Sequence, residues 1–172
     1  MINTENIVEK FSLMPGMKVA DFGAGSGFFS VAMAKHIGKA IVYSFDVQKE
    51  ALSAINSMAS HQHLTNIETN RVDLESPNAT GLADKTIDFI LISSLLFQAE
   101  EKAVIVKEAF RVLVPGGRVA VIDWRMGAPL GPIASSRVSK ESVIEIFNKE
   151  GFSLSNEFNA GENHYGLMFK KT

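Results

Sequence analysis

The sequence predicts an α/β fold with a doubly wound sheet, and three observations point to it. Short β-like runs alternate with helical patterns along most of the chain. A glycine-rich loop falls between the first strand pattern and the first helix pattern, where sheets of this kind bind ligands. Residues 152–170 then give up the alternation for two strand patterns around a turn. Strands alternating with helices of about 10–15 residues argue for a parallel sheet covered on both faces. The expected architecture is therefore a seven-stranded sheet, mostly parallel with a C-terminal antiparallel hairpin, with helices on both faces and one domain over residues 1–172.

The elements follow in order. After the turn signal Pro15-Gly16, residues 18–22 read as the first strand. Phe29, Ala32, Met33, His36 and Ile37 recur at helical spacing, closed by Gly38. Residues 40–45 form the second strand, and residues 48–60 a helix with Leu52, Ile55 and Ala59 on one face. Residues 66–72 give a weaker third strand. Residues 86–92 are the most continuous apolar run, as a central parallel strand should be. A helix over 99–113 buries Ala103, Val106, Phe110 and Leu113, stops at Val114-Pro115-Gly116-Gly117, and precedes a fifth strand over 118–122. Ser139 caps a helix reaching Lys149 and ending at Gly151. Residues 152–158 and 164–170 are the hairpin strands, so five β–α alternations finish in a hairpin. The loop from Met126 to Arg137, with two glycines and two prolines, is too long for a simple turn.

Composition excludes several classes. Hydrophobic residues make up 46% and charged residues 21% of the 172, an ordinary globular balance. A net charge of −2 and no basic stripe argue against a nucleic-acid substrate, since phosphate contacts supply most non-specific affinity. There is no cysteine, hence no disulfide and no thiolate chemistry. Residues 1–5 lack the basic and apolar runs of a signal peptide. The longest apolar run, Ile87 to Phe97, is about half a membrane span. A cytoplasmic protein without membrane insertion is expected; its oligomeric state is left open. No two histidines combine with carboxylates at metal-ligand spacing, so no metal is expected. His36, His61 and His63 sit near helix ends, where positive charge is favoured. His164, in the hairpin, is a candidate general base.

The run Asp21-Phe22-Gly23-Ala24-Gly25-Ser26-Gly27 carries the function. A dinucleotide loop, G-x-G-x-x-G, would need glycine at position 28, where this chain has Phe28. A phosphate-binding P-loop would end in Lys-Ser/Thr, which is missing. An acidic residue at a strand end followed by G-x-G-x-G resembles motif I of the class I S-adenosylmethionine-dependent methyltransferases, whose sheet is Rossmann-like. In that family the loop wraps the methionine moiety, which here implicates Gly23, Ala24, Gly25 and Gly27, and the acidic residue, Asp21, helps hold the ammonium group. The resemblance extends along the chain. Asp46, at the end of the second strand, matches the acceptor of both ribose hydroxyls, and Val47 the apolar residue against adenine. Asp73-Leu74 resembles the pair that reads the adenine amino group and ring, and Ser93 completes the cofactor set. Each aspartate also has a plainer reading, as a turn former or helix cap. The run from Val112 to Gly117 resembles the family's L-x-P-G-G signature, a helix stop and tight turn.

Methyl transfer is an in-line displacement helped chiefly by positioning, so the sequence need show no catalytic motif. After the fourth strand the chain reads Ser93-Ser94-Leu95-Leu96, unlike the Asn/Asp-Pro-Pro-Tyr of amino-methylases and without the paired glutamates of arginine methylases. The lack of cysteine argues against cytosine C5- and arsenite methylases. The pattern resembles most the small-molecule group around the ubiquinone/menaquinone-biosynthesis C-methyltransferases, which share runs like Ile122-Asp123-Trp124. A small acceptor, apolar or aromatic, is expected. Its candidate walls are Ile7, Phe11 and Met14, residues 93–97, and residues 124–137, with Phe11, Leu96, Phe97, Trp124 and Met126 as apolar linings; such residues are also ordinary core. Arg125 or Arg137 could hold an anionic group or simply be solvated. Two rival readings remain: an NAD(P)-binding oxidoreductase, which Phe28 opposes, and a catalytically inactive S-adenosylmethionine-binding module.

Overall fold

A computed structural model describes residues 3–172; Met1 and Ile2, part of the stretch read for a leader, lie outside the described residues. The chain runs α1 (Thr4–Glu9), β1 (Val19–Phe22), α2 (Phe28–His36), β2 (Val42–Asp46), α3 (Lys49–His61), β3 (Ile67–Arg71), β4 (Ile87–Ser93), α4 (Lys102–Val112), β5 (Leu113–Trp124), α5 (Lys140–Lys149), β6 (Phe152–Asn159) and β7 (His164–Lys171). One seven-stranded sheet has the order β3-β2-β1-β4-β5-β7-β6. The first five strands are parallel, and β7 runs antiparallel to both β5 and β6. This is the doubly wound, Rossmann-like architecture that the alternation predicts, with its C-terminal hairpin.

The central strands read as unbroken apolar runs because both faces are covered. Side chains alternate between the faces with period two. Ala20, Phe22, Ile90, Ile92, Val119 and Val121 enter one core, shared with α4 and α5. Val19, Phe89, Leu91, Ala120 and Ile122 enter the other, shared with α1 and α2. Phe147 of α5 stacks on Phe169 of β7, with ring centroids 4.1 Å apart. The caps behave as their residues dictate. Ser139 accepts a hydrogen bond from the Ser142 N–H at 3.2 Å, and Gly38 follows α2 at φ +67°, the left-handed turn that ends a helix. Among the described residues, no helix is long and apolar enough to cross a membrane.

Three sequence expectations are corrected, and one helix is new. The segment after Asn3 is a helix, α1, whose first turn is capped by the Asn3 side chain accepting from the Asn6 N–H at 3.2 Å. The helix expected over 99–113 begins later, at Lys102. Strand β5 begins at Leu113, so Pro115-Gly116-Gly117 is an irregularity inside the strand: Ile87 pairs with Leu113, but Phe89 already pairs with Arg118. The five β–α alternations are broken between β3 and β4, where no helix occurs among the described residues. Asn78, Gly81 and Lys85 all adopt positive φ there, which no right-handed helix accommodates.

That crossover is instead tied to α4. Thr80 donates both its N–H (3.1 Å) and its hydroxyl (2.6 Å) to Glu108 Oε1. Arg111 donates to both Glu108 oxygens, at 2.9 and 2.8 Å, and to the Leu82 carbonyl at 2.8 Å. Burial alone would raise the pKa of Glu108, but the hydrogen bonds from Arg111 and Thr80 outweigh it and hold the carboxyl below its usual value. Its stabilisation is therefore present at neutral pH and is lost as pH falls below about 4.5 through the folded value. Removing one partner of a buried pair leaves the other uncompensated. Glu108→Ala is expected to lower the unfolding free energy at neutral pH by about 3 kcal/mol in urea denaturation. The deficit should shrink in acid, and a loss well under about 1 kcal/mol would contradict this role.

Candidate functional site

The carboxyl ends of β1, β2 and β4 open into a cavity of about 810 Å³. It forms there because helices leave β1 and β4 toward opposite faces, so the loops above them part. Of the residues the sequence singled out, Asp21, Gly23, Ala24, Gly25, Asp46, Val47, Asp73, Leu74 and Ser93 all line it. Gly27 does not.

The glycine loop is curled by its backbone. The N–H groups of Gly23 and Ala24 both donate to the Phe45 carbonyl at 2.9 Å, and Gly27 N–H donates to Ala24 O at 2.9 Å. Gly25 N–H donates to Asp46 Oδ2 at 2.8 Å. Gly25 has φ +52°, and a Cβ built on it would meet nothing nearer than Gly23 O at 3.9 Å, so it would project into open space. Gly27 serves a different end. Its φ is +80°, and a Cβ would lie 2.3 Å from Ile55 Cγ1, so glycine there lets α2 begin hard against α3.

Asp21, the penultimate residue of β1, is almost wholly buried, 1% exposed. The Ser30 hydroxyl of α2 donates to Asp21 Oδ2 at 2.6 Å, and Ser30 and Ser44 hydroxyls are hydrogen-bonded at 2.7 Å. Burial pushes the Asp21 pKa up to about 7; the Ser30 hydrogen bond pulls it down, and the nearby Asp46 carboxylate pushes it further up. Asp46 uses its oxygens on backbone, Oδ2 on Gly25 and Oδ1 on the Gln48 N–H at 2.9 Å. Each carboxylate oxygen retains a second lone pair. Val47 beside it is 55% exposed, unusual for valine. Asp73 Oδ1 accepts from the Glu75 N–H at 3.0 Å, an Asx-type turn, while Leu74 is buried behind it. Ser30 and Ser44 were missed in the sequence; their signal is two serines on otherwise apolar, sheet-facing positions.

The large apolar linings of the cavity are Phe28 and Leu95, beside the glycine loop, with Trp124 and Leu130, and residues 160–164 of the hairpin turn, His164 included, line it too. The expected walls are corrected here. Ile7 and Phe11 are core; Phe11 packs on Phe89 and Phe158 with centroids 5.0 and 5.9 Å away. Met14 and Met126 face solvent, Leu96 is fully buried in the core, and Phe97 packs against it. Only Trp124 of that apolar set reaches the cavity. Leu95 and Leu130, on the same segments, take the place of their neighbours. Arg137 is neither solvated nor free for an anion: its guanidinium donates to the carbonyls of Arg125, Met126, Ala128, Leu130 and Pro132, and so folds its own loop. Arg125 Nε donates to the His164 carbonyl at 2.8 Å. His36 contacts the Ala32 carbonyl within its own helix at 2.9 Å. Asp123, buried with its pKa raised to about 6 by burial, accepts from the N–H groups of Phe97 (3.2 Å) and Trp124 (2.8 Å). It thereby ties the turn after β4 to the end of β5.

The fold and this glycine-loop cavity define a class. The methyltransferase-domain family model matches residues 13–165, and the chain belongs to that family. It is similar to a SAM-dependent methyltransferase from Aquifex aeolicus, at TM-score 0.89 and 26% identity over 99% of this chain and 90% of that one. It is 28% identical over 119 residues to an arsenite methyltransferase of Halobacterium salinarum, covering 69% of this chain and 30% of that protein. It is 24% identical over 131 residues to a demethylmenaquinone methyltransferase of a Geobacillus species, covering 74% of this chain and 53% of that protein. The chain thus spans about a third to a half of the length of these two relatives.

A buried carboxyl with a raised pKa costs stability once it ionises. For Asp21 that cost is absent below the unfolded value, 3.8, grows as pH rises, and is complete above about 7. In the ligand-free protein, Asp21→Asn is expected to raise the unfolding free energy above pH 7, with the gain vanishing toward pH 3.8. Denaturation series at several pH values measure this, and a gain independent of pH would contradict the buried-carboxyl assignment.

Proposed function

We propose that the chain transfers the methyl group of S-adenosylmethionine to a small, apolar or aromatic acceptor, as a single domain over residues 1–172 acting in the cytoplasm, with no nucleic-acid substrate. The observation that carries this reading is Gly25, open to the cavity between two acceptor carboxyls, Asp21 and Asp46, at the edge of a methyltransferase-family sheet.

The residues present fit that cofactor. Asp21, ionised, suits the methionine ammonium group and is pre-oriented by Ser30. The free lone pairs of Asp46 suit the two ribose hydroxyls. The exposed face of Val47, with Leu74, suits the adenine ring, and Asp73 suits its amino group. The bare backbone at Gly25 admits close approach. A cavity of about 810 Å³ is ample for a ligand and leaves room for an acceptor. The sulfonium supplies an activated methyl group, so the protein's contribution is to hold the two partners in line and keep water out. Trp124, Leu95, Leu130 and Phe28 supply apolar lining for an acceptor.

Thermal unfolding with S-adenosylmethionine, S-adenosylhomocysteine or NAD tests this. Either adenosyl ligand at about 100 times its dissociation constant should add about 2.7 kcal/mol, and NAD nothing. Gly25→Val, whose side chain enters the cavity from a left-handed backbone position, should abolish the shift. Asp46→Ala, which also frees the Gly25 N–H, should weaken it. Stabilisation by NAD and not by S-adenosylmethionine would overturn the reading.

A further inference from the structure

Strand β3 is an edge strand, hydrogen-bonded to β2 alone, and none of its residues is fully buried. The turn after it carries Asp73 and Leu74, so no outer strand fixes where that turn stands. Within the turn, the Ser76 N–H donates to the Asp73 carbonyl at 3.1 Å and the Glu75 N–H to Asp73 Oδ1 at 3.0 Å. The side chain of Glu75 then fastens the turn to the other flank of the cavity. Its Oε2 accepts from the N–H groups of Glu100, at 2.8 Å, and Glu101, at 2.6 Å, just ahead of α4. Helix α4 follows β4, which lies three strands from β3 in the sheet. At about 4.8 Å per strand those two strands are about 14 Å apart, so this contact joins flanks that the sheet itself holds well apart. Both bonds end on an ionised oxygen, the stronger kind. The start of α4 has use for that charge: its first turn holds no acidic residue, and its N-cap, Glu101, makes no side-chain cap bond. Glu75 lines the cavity, as do Leu95, Gln98 and Ala99 on the segment that it grips. Leu74 shares a buried cluster with Ala99 and Ile105.

We infer that Glu75 is a positioning residue for the adenine subsite: its two bonds to the start of α4 set where Asp73 and Leu74 stand, and so how sharply the site tells adenine from other purines. The inference rests on the methyl-transfer reading above. Adenine presents an exocyclic amino donor where hypoxanthine presents a carbonyl oxygen. A carboxylate such as Asp73 pairs with the donor and meets the carbonyl acceptor against acceptor. That difference becomes specificity only when the carboxylate is held at a fixed place, because a hydrogen bond weakens steeply with distance and angle. One oxygen engaged by two backbone N–H groups removes the freedom of the turn, and the turn has no other tie to α4 among the described residues' side-chain hydrogen bonds. Glu75 acts through its neighbours, and its effect is read in the choice between two bases.

The probes are S-adenosylhomocysteine and S-inosylhomocysteine, which differ only at that exocyclic position, titrated calorimetrically into wild type and three variants. Wild type should prefer the adenosyl probe by at least about tenfold. Glu75→Ala, which releases the turn, should cut the preference to about threefold or less, with the inosyl affinity within about twofold of wild type. Glu75→Asp keeps a negative charge near the helix end, and so the fold, but is one methylene short. It either lets go of α4 or draws the turn toward it, and in both cases the preference should fall as it does for alanine. Glu75→Gln keeps an acceptor oxygen at the same reach and should retain the preference to within about threefold. Thermal unfolding followed in parallel separates positioning from a plain helix cap, whose loss lowers stability and leaves the ratio of affinities alone. An unchanged ratio in Glu75→Ala or Glu75→Asp, a parallel loss of both affinities, a glutamine variant as indifferent as alanine, or a wild type that does not distinguish the probes would each overturn the inference while leaving the methyl-transfer reading intact. Failure of S-adenosylhomocysteine to bind wild type would defeat both.

Discussion

The site depends on a single unfavourable arrangement, the burial of the Asp21 carboxyl under a glycine loop. A carboxylate out of water is costly unless compensated. Here the compensation is small: one hydroxyl, Ser30, itself supported by Ser44. The pKa near 7 expresses the deficit. Under the proposed methyl-transfer reading, that deficit favours a cationic group beside the carboxyl. The loop needs glycine for its backbone: Gly23 and Gly25 both adopt left-handed φ, and a side chain would press on Leu95 at the first and enter the cavity at the second.

The remaining structure serves that edge. Period-two alternation sends the side chains of β1, β4 and β5 into two separate cores, which fixes the sheet from both faces. The strand ends are therefore rigid, and the groups on them keep their spacing. Asp46 steadies the loop through Gly25, and Asp123 steadies the turn after β4 through Phe97. Asp46 and Asp123 thus do related jobs, each tying a strand end to a neighbouring loop or turn. Arg137 does the third, folding the loop that rests on Trp124.

What was legible in the sequence was what local spacing determines. The glycine spacing distinguished this loop from a dinucleotide loop, and the strand-end positions of Asp21, Asp46 and Asp73 follow from the alternation alone; all three line the cavity. The hairpin was legible from its two strand patterns and turn. What was not legible depends on tertiary partners. Phe11 and Leu96 look like any apolar residue near a pocket, and only packing against Phe89 or the α4 core decides their fate. Arg137 reads as a surface arginine until five carbonyls converge on it. The alternation breaks between β3 and β4 at a crossover whose anchor, Glu108, lies 28 residues downstream of Thr80. Gly27 looked like loop and proved to be a helix-packing glycine, because Ile55 comes from another element.

The central claim is that Asp21 is the anionic partner of the ligand's ammonium group. Calorimetric titration of S-adenosylhomocysteine at pH 7, in buffers of different ionisation enthalpy, counts the protons exchanged on binding. A carboxyl with a pKa of about 7 is half protonated there, and an ammonium group beside it drives the proton off. Wild type should release about half a proton per ligand bound, and Asp21→Asn none. Binding that moves no protons in wild type, or moves the same number in both proteins, would contradict the account.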